Sequence, residues 1–158
     1  MKNNGKISDS VNTVLTYIAT LGFFGHIPFA PGTIGSLCAL SLFLLTNFTL
    51  TTHFTIIIIG GLIGIYASEA AEKKLKEKDS KKIIIDEFIG FYISVLYIPK
   101  TLGLAISAFI LFRFFDILKP LFISKLERTL SNGFGIMADD ILAGIYANIV
   151  IQVWLIVF

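Results

Sequence analysis

The chain has 158 residues, 55% of them hydrophobic and 15% charged, with a formal net charge of +2 and a mean hydropathy of +0.82. That balance is too apolar for an ordinary soluble domain and points to the bilayer, with room for one compact bundle. The small net charge leaves no electrostatic footprint for nucleic acid, and the one cysteine, Cys38, excludes a disulfide within the chain.

Residues 1–9 are polar, with no cleavage site after them, and residues 23–35 are too rich in Pro and Gly for a signal-peptide core. Residues 11–24 are moderately apolar and predict a short helix, at the membrane surface or packed within the bundle. The stretch 26–36, His-Ile-Pro-Phe-Ala-Pro-Gly-Thr-Ile-Gly-Ser, predicts a fixed irregular turn. Such backbone survives near a membrane only when buried in protein or facing water. Residues 34–50 predict the first span, 51–53 a tight connection and 54–71 the second span. The six lysines within 73–82 predict a solvated loop suited to anionic headgroups. An apolar stretch opens at Ile83, is interrupted by Asp86-Glu87, and continues over 88–99. Residues 101–115 follow at once. Both pieces are shorter than the roughly 20 residues of a straight span. On a helix, Arg113, Asp116 and Lys119 share one side, and Pro120 ends or kinks it. Gly133 and Gly135 predict a flexible turn, Asp139-Asp140 the first turn of the last helix, and 141–158 a final span.

With the lysine-rich loop in the cytoplasm, five crossings put the N-terminus inside and the C-terminus outside. Of the 13 Lys and Arg residues only Lys100 then lies outside, as the positive-inside rule expects. The same topology gathers the Pro-Gly-Thr turn, Asp86-Glu87, Arg113/Asp116/Lys119 and Asp139-Asp140 at one face. Nothing in the rule required that convergence.

Five carboxylates from three segments at one face would repel one another, and a divalent metal is the economical compensation. One or two such ions would polarise a phosphate and lower the pKa of a bound water. Arg113 and Lys119 would balance the substrate phosphate. The turn carrying Thr33 and Ser36 would add N–H groups and hydroxyls at a helix start. Each piece also has a plainer reading. Adjacent acids serve as helix charge caps, Arg113 and Asp116 as an i,i+3 ion pair, and the Pro-Gly turn as a bend. His26 and His53 are isolated, and Trp154 and the phenylalanines read as packing or lipid-facing. The plainer readings do not explain the convergence. No Gly-x-x-x-x-Gly-Lys-Ser/Thr, no Gly-x-Ser-x-Gly and no Cys/His cluster is present, and two lone histidines argue against a phosphohistidine mechanism.

Four blocks occur in order: Ala30-Pro31-Gly32-Thr33-x-Gly35-Ser36, Asp86-Glu87-x-x-Gly90, Phe112-Arg113-x-x-Asp116-x-x-Lys119-Pro120, and Gly133-x-Gly135-Ile136-Met137-x-Asp139-Asp140-x-x-Ala143-Gly144. Together they resemble the phosphatidylglycerophosphatase A family, over residues 23–144. Asp79 also matches a frequent Asp of that family. The chain departs from the family pattern at Asn132-Gly133-Phe134-Gly135, where a Gly-Gly often precedes Gly-Ile-Met, and at Leu121-Phe122 after Lys119-Pro120. The resemblance implies an all-helical, Mg²⁺-dependent enzyme of the bacterial inner membrane. Its reaction would be hydrolysis of the terminal phosphate monoester of phosphatidylglycerophosphate, giving phosphatidylglycerol and phosphate. By position it implies Asp86, Glu87, Asp116, Asp139 and Asp140 as metal and acid–base groups. Arg113 and Lys119 are implied as phosphate binders, with Thr33 and Ser36 in support.

The expectation is an all-α polytopic membrane bundle forming one domain over residues 1–158. It has about five membrane-associated apolar helices plus a short N-terminal helix. Its substrate is a phospholipid, its surroundings a bilayer, and its active site faces the cytoplasm, with no nucleic-acid partner. The rivals are a related lipid phosphatase or phosphotransferase, a small cation transporter or channel, and a scaffold. A transporter predicts acids at mid-membrane and matched half-sequences. A scaffold predicts tolerance of Asp→Asn changes.

Overall fold

A computed structural model describes residues 3–120 and 132–158, with side chains from 9 to 120 and from 133 to 158. Among the described residues six helices follow in order: α1 Asn3–Ala19, α2 Pro31–Leu45, α3 Leu50–Leu75, α4 Ile85–Ser94, α5 Leu102–Leu118 and α6 Asn132–Val157. A single 3₁₀ turn, Phe24–His26, stands between α1 and α2. No strand occurs among the described residues.

The helix ends follow from local chemistry. Pro31 opens α2 at a position where its missing N–H costs nothing. Thr49 and Thr101 cap α3 and α5, accepting hydrogen bonds from the amides of Thr52 and Leu104, each at 3.3 Å. Lys119, in the left-handed region at φ 42°, ends α5, and Pro120 blocks its continuation. Helix α4 has only 10 residues, about 15 Å of rise. Its last carbonyls are met from α6. Asn148 Nδ2 donates to Ser94 O at 3.1 Å and Leu96 O at 2.7 Å, and Gln152 Nε2 donates to Leu96 O and Tyr97 O, both at 3.2 Å. Irregular backbone thus sits against amide side chains instead of lipid.

Helix α4 is the centre of the bundle, packed against α2, α3, α5 and α6, with α1 laid along α3. Small residues bring the backbones together. A Cβ on Gly144 would collide with Gly90 O, and one on Gly90 would lie 2.6 Å from Asp140 O and 2.7 Å from Phe112 Cε2. One core, including Phe43, Phe91, Tyr92 and Phe112, fills the space among α2, α4, α5 and α6. A second, including Ala19, Ala67, Ile85 and Met137, joins α1 and α3 to the starts of α4 and α6.

Two of these helices, Leu50–Leu75 and Gly133–Val157, are long and apolar enough to cross a membrane, and Pro31–Leu45 is a shorter apolar helix. They turn large apolar side chains outward, with Leu62 56% and Trp154 57% exposed. The last helix begins at Asn132, ahead of the expected first turn at Asp139-Asp140. Gly133 and Gly135 are helical, not a turn, and Ile65 O and the Glu69 amide of α3 lie so close to Gly133 that only glycine fits there. Asp139 and Asp140 therefore sit about two turns inside α6 rather than in its first turn.

Candidate active site

Asp86 and Glu87 occupy the first turn of α4, where the helix dipole favours negative charge. Four residues on, Gly90 meets α6 at Asp140 and Gly144. Asp86 precedes Gly90 by one turn as Asp140 precedes Gly144, so this close crossing carries the two acids to the same level. One carboxylate oxygen from each of Asp86, Glu87 and Asp140 lies within 4.8 Å of the others. Asp86 and Asp140 are 8% and 4% exposed.

Two cations stand beside this group. Arg113 Nη1 lies 2.5 Å from Asp116 Oδ2, and Lys119 Nζ donates to Asp139 Oδ2 at 2.9 Å. A cavity of about 240 Å³ opens over the acids, lined by all five predicted carboxylates, Lys119, Asp79, Ser80, Lys81, Ile83 and Ile136. Asp86 and Glu87 lie ahead of the apolar run 88–99, on the lysine-loop side. Burial pushes the Asp86 carboxyl well above the usual carboxylate range, and the neighbouring Glu87 charge adds to it. Burial, then the Asp140 charge, pushes Glu87 up to about 8. Asp86 Oδ1 and Glu87 Oε2 are buried without a hydrogen-bond partner among the described residues. Orphaned acceptors on crowded carboxylates fit a hard cation, which offers charge where donors are missing.

Three predicted phosphate contacts, Ser36, Thr33 and Arg113, lie outside the cavity lining. Ser36 is fully buried, and its hydroxyl donates back to Gly32 O at 2.8 Å within α2, as a serine in a helix interior does. Neither Ser36 nor Thr33 lines the cavity. Arg113 does not line it either. Its guanidinium sits behind the acids, against Asp116 and close to Gly32, where a side chain would also collide with Glu87 Oε1. Gly32 thus leaves room for the Glu87–Arg113 contact region. Lys119 is the predicted cation that reaches the cavity.

Ser80 and Lys81 were hidden in what reads as a solvated loop. The signal was their position directly ahead of Ile83-Ile84-Ile85-Asp86, since a polar segment that close must share the acids' end of α4.

The family model for phosphatidylglycerophosphatase A matches residues 17–155. The chain belongs to the phosphatidylglycerophosphatase A family. Its members are phosphoric monoester hydrolases, so the acids line the candidate active site of a phosphatase. Phosphatidylglycerophosphatase A of Haemophilus influenzae is 40% identical over 88% of this chain and 90% of its own length. The Escherichia coli protein of the same name is 34% identical over 82% of this chain and 77% of its own. A putative phosphatidylinositol-3-phosphatase of Bacteroides thetaiotaomicron is 39% identical over 82% of this chain and 86% of its own. No solved structure matches the chain significantly.

Proposed function

We propose that this chain hydrolyses the phosphate monoester of phosphatidylglycerophosphate, in a Mg²⁺-dependent reaction at the cytoplasmic face of a bacterial inner membrane. The observation that carries the reading is the open Asp86/Glu87/Asp140 group beside Lys119, in a chain of this family. Asp86, Glu87 and Asp140 hold the ion. When bound, it supplies Lewis-acid polarisation of the phosphoryl oxygens and activation of water. Lys119 binds a phosphoryl oxygen and Asp139, its partner, accepts the proton of the attacking water. The phosphorus–oxygen bond to the glycerol breaks opposite the attack, and that oxygen takes up a proton as phosphatidylglycerol leaves. Arg113 and Asp116 fix the rear of the acid group, and Thr33 and Ser36 fix the first turn of α2.

The membrane reading is a single domain with five passes, carried by the apolar parts of α2 to α6, the third running from Phe88, past Asp86 and Glu87. Support comes from the contacts at the two ends of the bundle. The acids, Gly32 and Arg113 lie together at one end. At the other, Lys100 Nζ donates to Thr46 O at 2.6 Å and Asn47 Oδ1 at 2.9 Å. Successive helices thus run in alternating directions, with α1 on the acid side. That keeps the lysine-rich loop inside and Lys100 outside.

The test is phosphate release from phosphatidylglycerophosphate in detergent micelles, with Mg²⁺ or EDTA, for wild type and Asp140→Asn. Release that needs Mg²⁺ and vanishes in a folded Asp140→Asn protein is the expected result. A second arm with phosphatidylinositol 3-phosphate covers the substrate in the name of the Bacteroides relative. Preference for that lipid would move the assignment to a phosphoinositide. No release from either would sink it.

A further inference from the structure

We propose that Lys81 is a specificity residue, taking the diester phosphate of the lipid so that the site selects headgroups carrying a monoester beyond a phosphodiester. This rests on the phosphatase reading above. Among the described residues two cations line the cavity, Lys119 and Lys81. Lys119 is joined to Asp139 at 2.9 Å, next to the acids. Lys81 is exposed and makes no ion pair or hydrogen bond through its side chain among the described residues.

Its backbone, by contrast, is held on both sides. Asp79 N donates to Glu72 Oε1 at 2.7 Å, and the buried Ser80 hydroxyl donates to Glu77 Oε2 at 2.7 Å. Ile83 N donates to Ser80 O at 2.8 Å and Ile84 N to Ala19 O at 2.9 Å. Lys82 O lies so close to Gly25 that no side chain fits there. The end of α1 and the 3₁₀ turn thus pin the segment that carries Lys81. A free ammonium on a fixed backbone at the rim of an anionic cavity suits a second phosphate. The substrate has one. Its monoester belongs at Lys119 and the acids, and its diester lies one glycerol away, within the same cavity's reach. Lys78, on the same loop, does not line the cavity.

The two products separate the two phosphates, since phosphatidylglycerol keeps the diester and inorganic phosphate lacks it. Binding of short-chain phosphatidylglycerol and of inorganic phosphate, each with Mg²⁺, is measured by calorimetry on the detergent-solubilised full chain. Lys81→Met should weaken phosphatidylglycerol about tenfold, near the lower end of a hydrogen bond to a charged group, and leave phosphate unchanged. Lys81→Arg should restore it and Lys78→Met should change nothing. In turnover the same variant raises KM for phosphatidylglycerophosphate with kcat preserved. Equal weakening of both products, no weakening, or the same loss in Lys78→Met would overturn the proposal. The binding arm stands whether or not the wild type turns over, so failure of the phosphatase reading shows separately, as absent phosphate release.

Discussion

Gly90→Ala tests whether the α4–α6 crossing builds the site. An added Cβ would stand 2.6 Å from Asp140 O, 3.0 Å from Asp140 C and 2.7 Å from Phe112 Cε2. The first two atoms are helix backbone and cannot rotate away. Ordinary contact begins near 3.4 Å, so α6 must retreat by about 0.8 Å, close to the ~1 Å misplacement that can cost a hundredfold in rate. The strain of overpacking adds about 1–3 kcal/mol of instability. Because Asp140 is the residue displaced, the Asp86/Glu87/Asp140 group opens as the helices part. The expectation is a roughly hundredfold fall in Mg²⁺-dependent phosphate release, larger than any loss of folded protein explains. Activity and thermal unfolding in the same detergent are the assay. Gly103→Ala, where a Cβ meets nothing within 4 Å, is the control and should be neutral or stabilising by up to about 1 kcal/mol. A Gly90→Ala protein that loses stability but keeps near wild-type kcat would refute the idea that the crossing sets the acid geometry.

Two further predictions concern the acids and the far end of α4. Glu87 is pushed up to about 8 from the ordinary value of about 4.3, so metal-free folded protein holds a proton that the unfolded chain has lost. Its stability should therefore fall as pH rises through that window, by about 1.4 kcal/mol per pH unit at most. Mg²⁺ competes with that proton, so its increase in apparent Tm over EDTA should be larger at high pH than at low. Equal shifts at both would count against these acids as the metal site. Asn148→Leu removes the donor to Ser94 O and one of the two donors to Leu96 O, which keeps Gln152 Nε2, and should cost about 1–3 kcal/mol, chiefly by stranding the Ser94 carbonyl. Thermal unfolding reads it, and an unchanged Tm would mean that this carbonyl finds another donor.

The acids, Lys119 and the helical class were legible because charge in an apolar chain is conspicuous and helix periodicity is local. What escaped was decided by contacts between helices. Gly133 and Gly135 look like a turn in isolation, yet both are helical, and Gly133 is where α3 packs too closely against α6 for any side chain. Arg113 and Lys119 look equivalent along one helix side. But α5 ends at Lys119 in a left-handed residue, which sends that lysine to Asp139 while Arg113 stays against Asp116. The hydroxyl of Ser36 has a carbonyl one turn back, and no pattern of residue types reveals which a serine prefers. The shortness of α4 depends on Asn148 and Gln152, more than fifty residues away.

The charges suggest how many ions the resting site holds. Of the six carboxylates lining the cavity, Asp79 is exposed on the loop, and Asp116 and Asp139 have cationic partners in Arg113 and Lys119. Asp86, Glu87 and Asp140 are left together, with the α4 N-terminus supplying the equivalent of about half a positive charge. If all three are ionised, one divalent cation leaves the group close to neutral. A second would make it strongly positive in a buried place unless the dianionic phosphate arrives with it. Equilibrium dialysis without substrate should therefore find one Mg²⁺ per chain, and none in Asp140→Asn. Two ions per chain at rest would show that one of the ion pairs opens and releases its carboxylate to metal.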